Sequence, residues 1–180
     1  VSADSTLPFA QHRDIFYLSG VDQEESVLVL FPNAPYEHQR EILFLRETNE
    51  HIAIWEGEKL TKERAFEVSG IKTVYWLSEF KKVLNELMTY ADTMYINTNE
   101  HYRASVETET REERFIKWWK ENYPAHQVAK SNPILQKIRS IKEQEELDLI
   151  QHACNITDKG FRRLLGFVKP GVTEYEIEAE

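Results

Sequence analysis

One cysteine, Cys154, stands in this chain of 180 residues, so no disulfide can close within it. The chain fits a reducing compartment, and a cytoplasmic location is the expectation. Among apolar neighbours on a helix, Cys154 reads as a buried bystander, because a reactive thiol needs a basic setting. Glycine is sparse as well. Gly20, Gly57, Gly70, Gly160, Gly166 and Gly171 are spread singly, so no phosphate-cradling loop exists and nucleotide hydrolysis has no support. No apolar run approaches the roughly 18 residues of a membrane span, and the opening VSADSTLPFAQHRD lacks a basic-then-apolar leader pattern. No membrane role is expected. Basic residues are the minority, 22 against 31 acidic ones for a net charge of -9. That balance argues against nucleic acid as a partner, whose footprint is a basic patch.

The residues that carry chemistry are equally dispersed. His12, His38, His51, His101, His126 and His152 occur singly, without the i, i+4 pairing of a helix-borne zinc site, and read as solvent-facing or singly bonded. Asp22, Glu24 and Glu25 lack the alternating ligands and glycine of a calcium loop, and read as a solvated turn. Glu112-Glu113 and Glu145-Glu146 are helix neighbours that cannot share one face. No serine lies in a nucleophile elbow. No catalytic centre is identifiable within the chain.

What the sequence does contain is an alternation of strands and helices. IFYL at 15 to 18, SVLVLF at 26 to 31, EILFL at 41 to 45, HIAIW at 51 to 55, IKTVYWL at 71 to 77 and TMYIN at 93 to 97 read as strands. SVLVLF is apolar on both sides, as a strand covered on both faces would be. Thr61 caps a helix running through Val68, with Gly70 at the left-handed C-cap position. From Ser78, the spacing of Phe80, Val83, Leu84, Leu87 and Met88 predicts a helix with one apolar stripe. A charged helix from about Glu107 to Tyr123 carries Phe115, Ile116, Trp118 and Trp119 and stops at Pro124.

The stretch from Ala125 to Pro133 reads as a linker, dividing an α/β layer domain, 1–132, from a second segment, 133–180. Ser140 with Glu143, and Thr173 with Glu176, have capping-box spacing on either side of Pro170-Gly171. The final amphipathic stretch reads as the unfinished start of another domain, so the chain is expected to be a fragment of a longer polypeptide. An apolar face with Leu147, Ile150, Phe161, Leu164 and Leu165 on the helix from Ser140 to Val168 is expected to need cover. The tryptophans, Trp55, Trp76, Trp118 and Trp119, are read mostly as core. Trp55 differs: it ends a predicted strand beside Glu56-Gly57, where a ring would emerge to line a pocket or an interface.

These pieces together resemble the N-terminal domain of the Xaa-Pro aminopeptidases (aminopeptidase P), relatives of prolidase and creatinase. PFAQHRDIFYLSGVDQEESVLVLFP at 8 to 32 is similar to the family's opening pattern. ILFLRETNEHIAIWEGEKLTKERA at 42 to 65 resembles its Trp-x-Gly segment, carried by Trp55 and Gly57. Arg139, Ile141, Lys142 and Glu146, then VKPGVTE from Val168 to Glu174, look like the entry into the catalytic domain. The order and spacing of all three make the resemblance specific.

The resemblance implies an α/β fold, a mixed β-sheet flanked by helices, followed by an incomplete helical start of a pita-bread domain. It implies a longer enzyme holding two divalent ions, manganese, through ligands that fall outside this sequence. That enzyme would remove the N-terminal residue before a proline, acting on peptides with proline second, and would form a homo-oligomer. The domain in hand would be inactive alone and serve assembly and substrate access, with Trp55 as a substrate-pocket wall. Ala10 departs from the family, whose pattern often has a basic residue there. Two alternatives stay open: a peptide or protein interaction module of a non-enzymatic relative, and a related enzyme acting on X-Pro dipeptides or creatine.

Overall fold

The strand Glu41–Leu45 is where the architecture is decided. Four successive residues, Ile42, Leu43, Phe44 and Leu45, are at most 1% exposed. Successive strand side chains point to opposite faces, so apolar residues at every position demand cover on both. The computed structural model describes residues 9–49, 51, 53, 54, 57–98 and 107–180. Its elements in chain order are α1 (Arg13–Ser19), β1 (Val27–Leu30), β2 (Glu41–Leu45), α2 (Lys62–Ser69), β3 (Thr73–Trp76), α3 (Phe80–Met88), β4 (Thr93–Ile96), α4 (Arg111–Asn122), β5 (Gln127–Lys130), α5 (Asn132–Ser140), α6 (Gln144–Phe167) and α7 (Glu174–Ala179). Short 3-10 turns cover Glu37–Gln39 and Leu77–Glu79.

β2 is central in a three-stranded mixed sheet, antiparallel to β1 and parallel to β3. Leu43 and Leu45 face one way, packing with Val21, Ala65 and Ile71 and with the partly buried Leu28, Val74 and Trp76. Ile42 and Phe44 face the other, against Leu87 and the partly buried Val27, Tyr75, Phe80 and Val83. The period of two therefore carries across all three strands, with α2 on one face and α3 on the other. β4 and β5 form a separate parallel pair joined through α4. A third cluster, Leu84, Met88 and Trp119, fastens α4 to α3. The mixed sheet flanked by helices is thus the fold, and the predicted stripe of α3 is its buried face.

One predicted strand is helical, and so are the described residues of another. IFYL lies within α1, where the Ser19 hydroxyl donates to the Ile15 carbonyl at 2.7 Å and Gly20, at φ 68°, closes the helix. Four apolar residues are too few for the period to separate strand from helix, and Ser19-Gly20 is a helix C-cap rather than a strand turn. In HIAIW, His51, Ala53 and Ile54 are helical, and the Ala53 N–H donates to the Asn49 carbonyl four residues back.

Other readings move more modestly. α2 matches its caps, with the Thr61 hydroxyl accepting from the Arg64 N–H and Gly70 at φ 72°. The stretch read as a linker contains β5, because Val128 and Ala129 find a parallel partner in β4 that local sequence does not reveal. The helix read as starting at Ser140 is α6, which starts at Gln144 with Glu143 as its cap: the Glu143 N–H donates to the Glu146 carboxylate at 3.0 Å, while Ser140 ends α5 and its hydroxyl donates to the Lys137 carbonyl. At α7 the Thr173 N–H donates to Glu176 at 2.8 Å, as the capping pattern predicts.

The chain separates into two compact units, 1–131 and 132–180. In the second, no residue of α6 is buried; Leu149 is 71% and Leu165 78% exposed. Cys154 is exposed too, correcting its assignment to a core. It lies on a helix most of whose apolar residues stay exposed, with only Leu164 and Phe167 half-buried.

Truncating Phe44 removes a ring that meets Phe80 edge-on at 5.1 Å and stacks on Tyr75 at 5.9 Å. Phe44→Ala should cost about 3–5 kcal/mol in chemical denaturation. Tyr90→Ala, at a half-exposed site, should stay within about 0.5 kcal/mol of the parent.

Candidate functional site

Three features of the first unit could carry function: an ion-pair knot, an aromatic row, and a cleft that touches both. The knot begins with Gln23, which is 5% exposed. Its side-chain oxygen accepts from the Leu60 N–H at 2.6 Å, and its carbonyl accepts from Gln11 and Ser26. This pins the loop before β1 to the segment that enters α2. Glu25 follows with φ 55°, a left-handed conformation uncommon outside glycine. The turn aims both carboxylates at basic groups: Glu24 meets Lys59 and, at 3.8 Å, Arg46, and Glu25 meets Arg46 at 3.6 Å. The acidic turn is therefore an ion-pair junction, tighter than the solvated loop its composition suggests. The hydrogen bond from Lys59 holds the Glu24 carboxyl below its ordinary value near 4.5.

The aromatic row starts in the sheet and ends beyond α4. Phe80 and Phe115 have centroids 5.9 Å apart, Phe115 stacks on Trp118 at 5.7 Å, and Trp118 meets Tyr123 edge-on at 6.0 Å. Trp119, 1% exposed, lies between Tyr123 and His126 at 5.7 and 6.1 Å. The Tyr123 hydroxyl donates to Asn85, and burial pushes its ionisation upward. Trp76 is half-buried beside β2 and carries the Lys62 ammonium 4.9 Å from its centre. Tryptophans 76, 118 and 119 thus pack mainly as core.

The cleft, about 1140 Å³, lies where β3 and β4 end, between the first turns of α3 and α4. Phe80, Phe115 and Trp118 line it together with Lys81, Arg111 and Arg114. A crevice outside the carboxyl ends of parallel strands is where layered α/β domains commonly receive ligands. Ala10, the departure from the family pattern, lies on its rim.

Metal ligation finds no such convergence. Among the described residues no three His, Cys, Asp or Glu side chains are grouped to hold an ion. The His12 ring accepts from the Asp14 N–H, His38 stacks on Tyr36, and His126 bonds the Met88 carbonyl at 3.0 Å. These residues do not fit a dinuclear centre. His101 and Trp55, the residue singled out as a pocket wall, lie outside the described residues. No helix among the described residues is long and apolar enough to cross a membrane.

Comparison with known proteins decides the family. The profile of the aminopeptidase P N-terminal domain matches residues 1–96, which takes in the mixed sheet, α1 to α3 and β4. The chain belongs to the aminopeptidase P family. It is 29% identical over 180 residues to the Xaa-Pro aminopeptidase of Escherichia coli, covering 99% of this chain and 41% of the relative. Human Xaa-Pro aminopeptidase 3 is 22% identical over 182 residues, covering all of this chain and 35% of its own. The solved low-pH form of Escherichia coli aminopeptidase P superposes with a TM-score of 0.80 at 26% identity, over 99% of this chain and 40% of that one. The chain therefore spans only 35 to 41% of the length of these relatives and corresponds to their N-terminal part.

The depressed Glu24 carboxyl contributes stability above its unfolded value and loses it as the pH falls through the lower folded one. Melting temperatures of the parent and Glu24→Gln should therefore differ at pH 7, with the parent higher, and converge toward pH 3. A gap that persists in acid would mean the effect is one of packing.

Proposed function

We infer that the chain is the non-catalytic N-terminal domain, with the opening of the catalytic domain, of an Xaa-Pro aminopeptidase that releases the N-terminal residue when a proline follows it in second position. The observation that carries this reading is the collinear match: 99% of the chain aligns with 41% of the Escherichia coli enzyme. The first unit, 1–131, is the accessory domain, and the second, 132–180, is the entry into the pita-bread domain. The exposed apolar residues of α6 support that assignment, since a helix with so much uncovered apolar surface belongs against further chain.

Two manganese ions, held by the part of the enzyme beyond this chain, would activate water there. A solved relative is zinc-substituted Escherichia coli aminopeptidase P in complex with product, which agrees with divalent-metal chemistry in that protein. The N-terminal domain contributes assembly into a homo-oligomer and control of access for short peptides, with Trp55 as a wall of the substrate path. A cytoplasmic location belongs to the same reading, in keeping with a single cysteine.

The test compares two polypeptides on an X-Pro peptide with manganese. The full-length parent should release the first residue, and the 180-residue chain alone should show no turnover. Trp55→Ala in the parent should raise KM roughly tenfold, with kcat little changed, if the ring contributes binding shared by ground and transition states. An inactive parent would favour the interaction-module reading, and turnover by the chain alone would overturn its non-catalytic status.

A further inference from the structure

The charges around the cleft do not balance. Glu24 and Glu25 reach its lining, but Lys59 and Arg46 engage their carboxylates. Three cations of the lining have no carboxylate partner among the described residues. The Lys81 ammonium lies 5.0 Å from the centre of the Trp118 ring, and Arg114 donates to the main-chain carbonyl of Glu109 at 2.8 Å. Arg111 is the third, and Glu112 is the one lining carboxylate left to face all three. In a protein of net charge -9 this is a local excess of positive charge.

The helices gain nothing from holding these cations there. Arg111 is the first residue of α4 and Arg114 the fourth, while Lys81 follows the 3-10 turn Leu77–Glu79 that leads into α3 and so gains nothing from a helix C-terminus either. Positive charge in a first turn faces the positive end of the helix dipole, which favours acidic residues instead. Capping does not need the arginines either, because Thr110 and Glu113 already exchange hydrogen bonds across the α4 start at 2.7 and 3.2 Å. Beside the cations stand Phe80, Phe115 and Trp118, an apolar wall inside a cleft of about 1140 Å³. Small-molecule pockets run to roughly 300–1,000 Å³, so the space suits a short peptide better than a single metabolite. An apolar wall under a cationic rim selects a ligand with an apolar body and an anionic end.

We propose that this cleft binds the carboxyl-terminal end of a peptide, the terminal carboxylate among Lys81, Arg111 and Arg114 and the last apolar side chain against Phe80, Phe115 and Trp118. The proposal rests on the peptidase reading above and deepens it. A peptide held by its carboxyl end keeps its amino end free, which is the end an aminopeptidase must reach.

The test is a heteronuclear NMR titration of the 180-residue chain, without metal, using the peptide Ala-Pro-Ala-Ala-Phe as free acid and as C-terminal amide. The free acid should bind saturably and shift the amides of Lys81, Arg111, Phe115 and Trp118. The amide should bind at least roughly tenfold more weakly, as should the free acid to the Lys81→Glu/Arg111→Glu double variant. That variant places a carboxylate at the start of α4, where the helix dipole favours it, and another at an exposed position of α3, so it should remain folded, which its melting curve checks; Arg111→Gln, at an exposed site, gives a second, milder reading. Equal binding of acid and amide overturns the proposal. So does undiminished binding by a folded variant, a set of shifts elsewhere, or no binding at millimolar peptide. X-Pro hydrolysis by the longer parent is a separate readout, so the two readings fail separately.

Discussion

Everything in the first unit answers to one constraint: β2 has no face that tolerates water. Its four buried residues alternate between two clusters, so a single-layer arrangement would strand half of them in solvent. α2 and α3 are the response on the two sides, and β1 and β3 copy the same alternation outward from the centre. α4 then joins at one remove, through Trp119 against Leu84 and Met88. Apolar burial of this kind contributes roughly 25 cal/mol per Å², and with no disulfide available it is the main source of cohesion.

The same layering creates the cleft. When helices cover a sheet's faces, its strand ends remain open, and here β3 and β4 end beside the first turns of α3 and α4. Aromatic side chains that begin as core at Phe44 and Phe80 continue through Phe115 to Trp118, at the edge of that opening. The Gln23 loop, fixed by Leu60 and by the Arg46 and Lys59 pairs, closes the opposite margin. Packing and site are continuous, so the cleft inherits the rigidity of the sheet.

The sequence showed the fold's interior better than its ends. The stripe of α3, the caps of α2 and the apolar run of β2 were legible because each carries its own local signal: a period, a hydroxyl before a helix, a glycine after one. α1 was not, since four apolar residues beside Ser19-Gly20 fit a strand turn as well as a helix C-cap. β5 was hidden for a different reason: QVAK becomes a strand only because β4 stands beside it. Cys154 was misread because burial depends on what covers a helix, which its own sequence does not state. The cleft was legible only in parts. The sequence marked the aromatics but not the cations, whose significance lies in the missing carboxylates around them and in their placement at two helix starts.

The central claim is that the first unit is held by its own core, whereas α6 finds little apolar cover within its own unit. Amide hydrogen exchange on the 180-residue chain tests it most directly, because protection reports local opening free energy. The account predicts that the amides of β2 exchange slowest, near the global unfolding limit, and that those from Gln144 to Phe167 exchange orders of magnitude faster. Protection of α6 equal to that of β2 in the monomeric chain would contradict it.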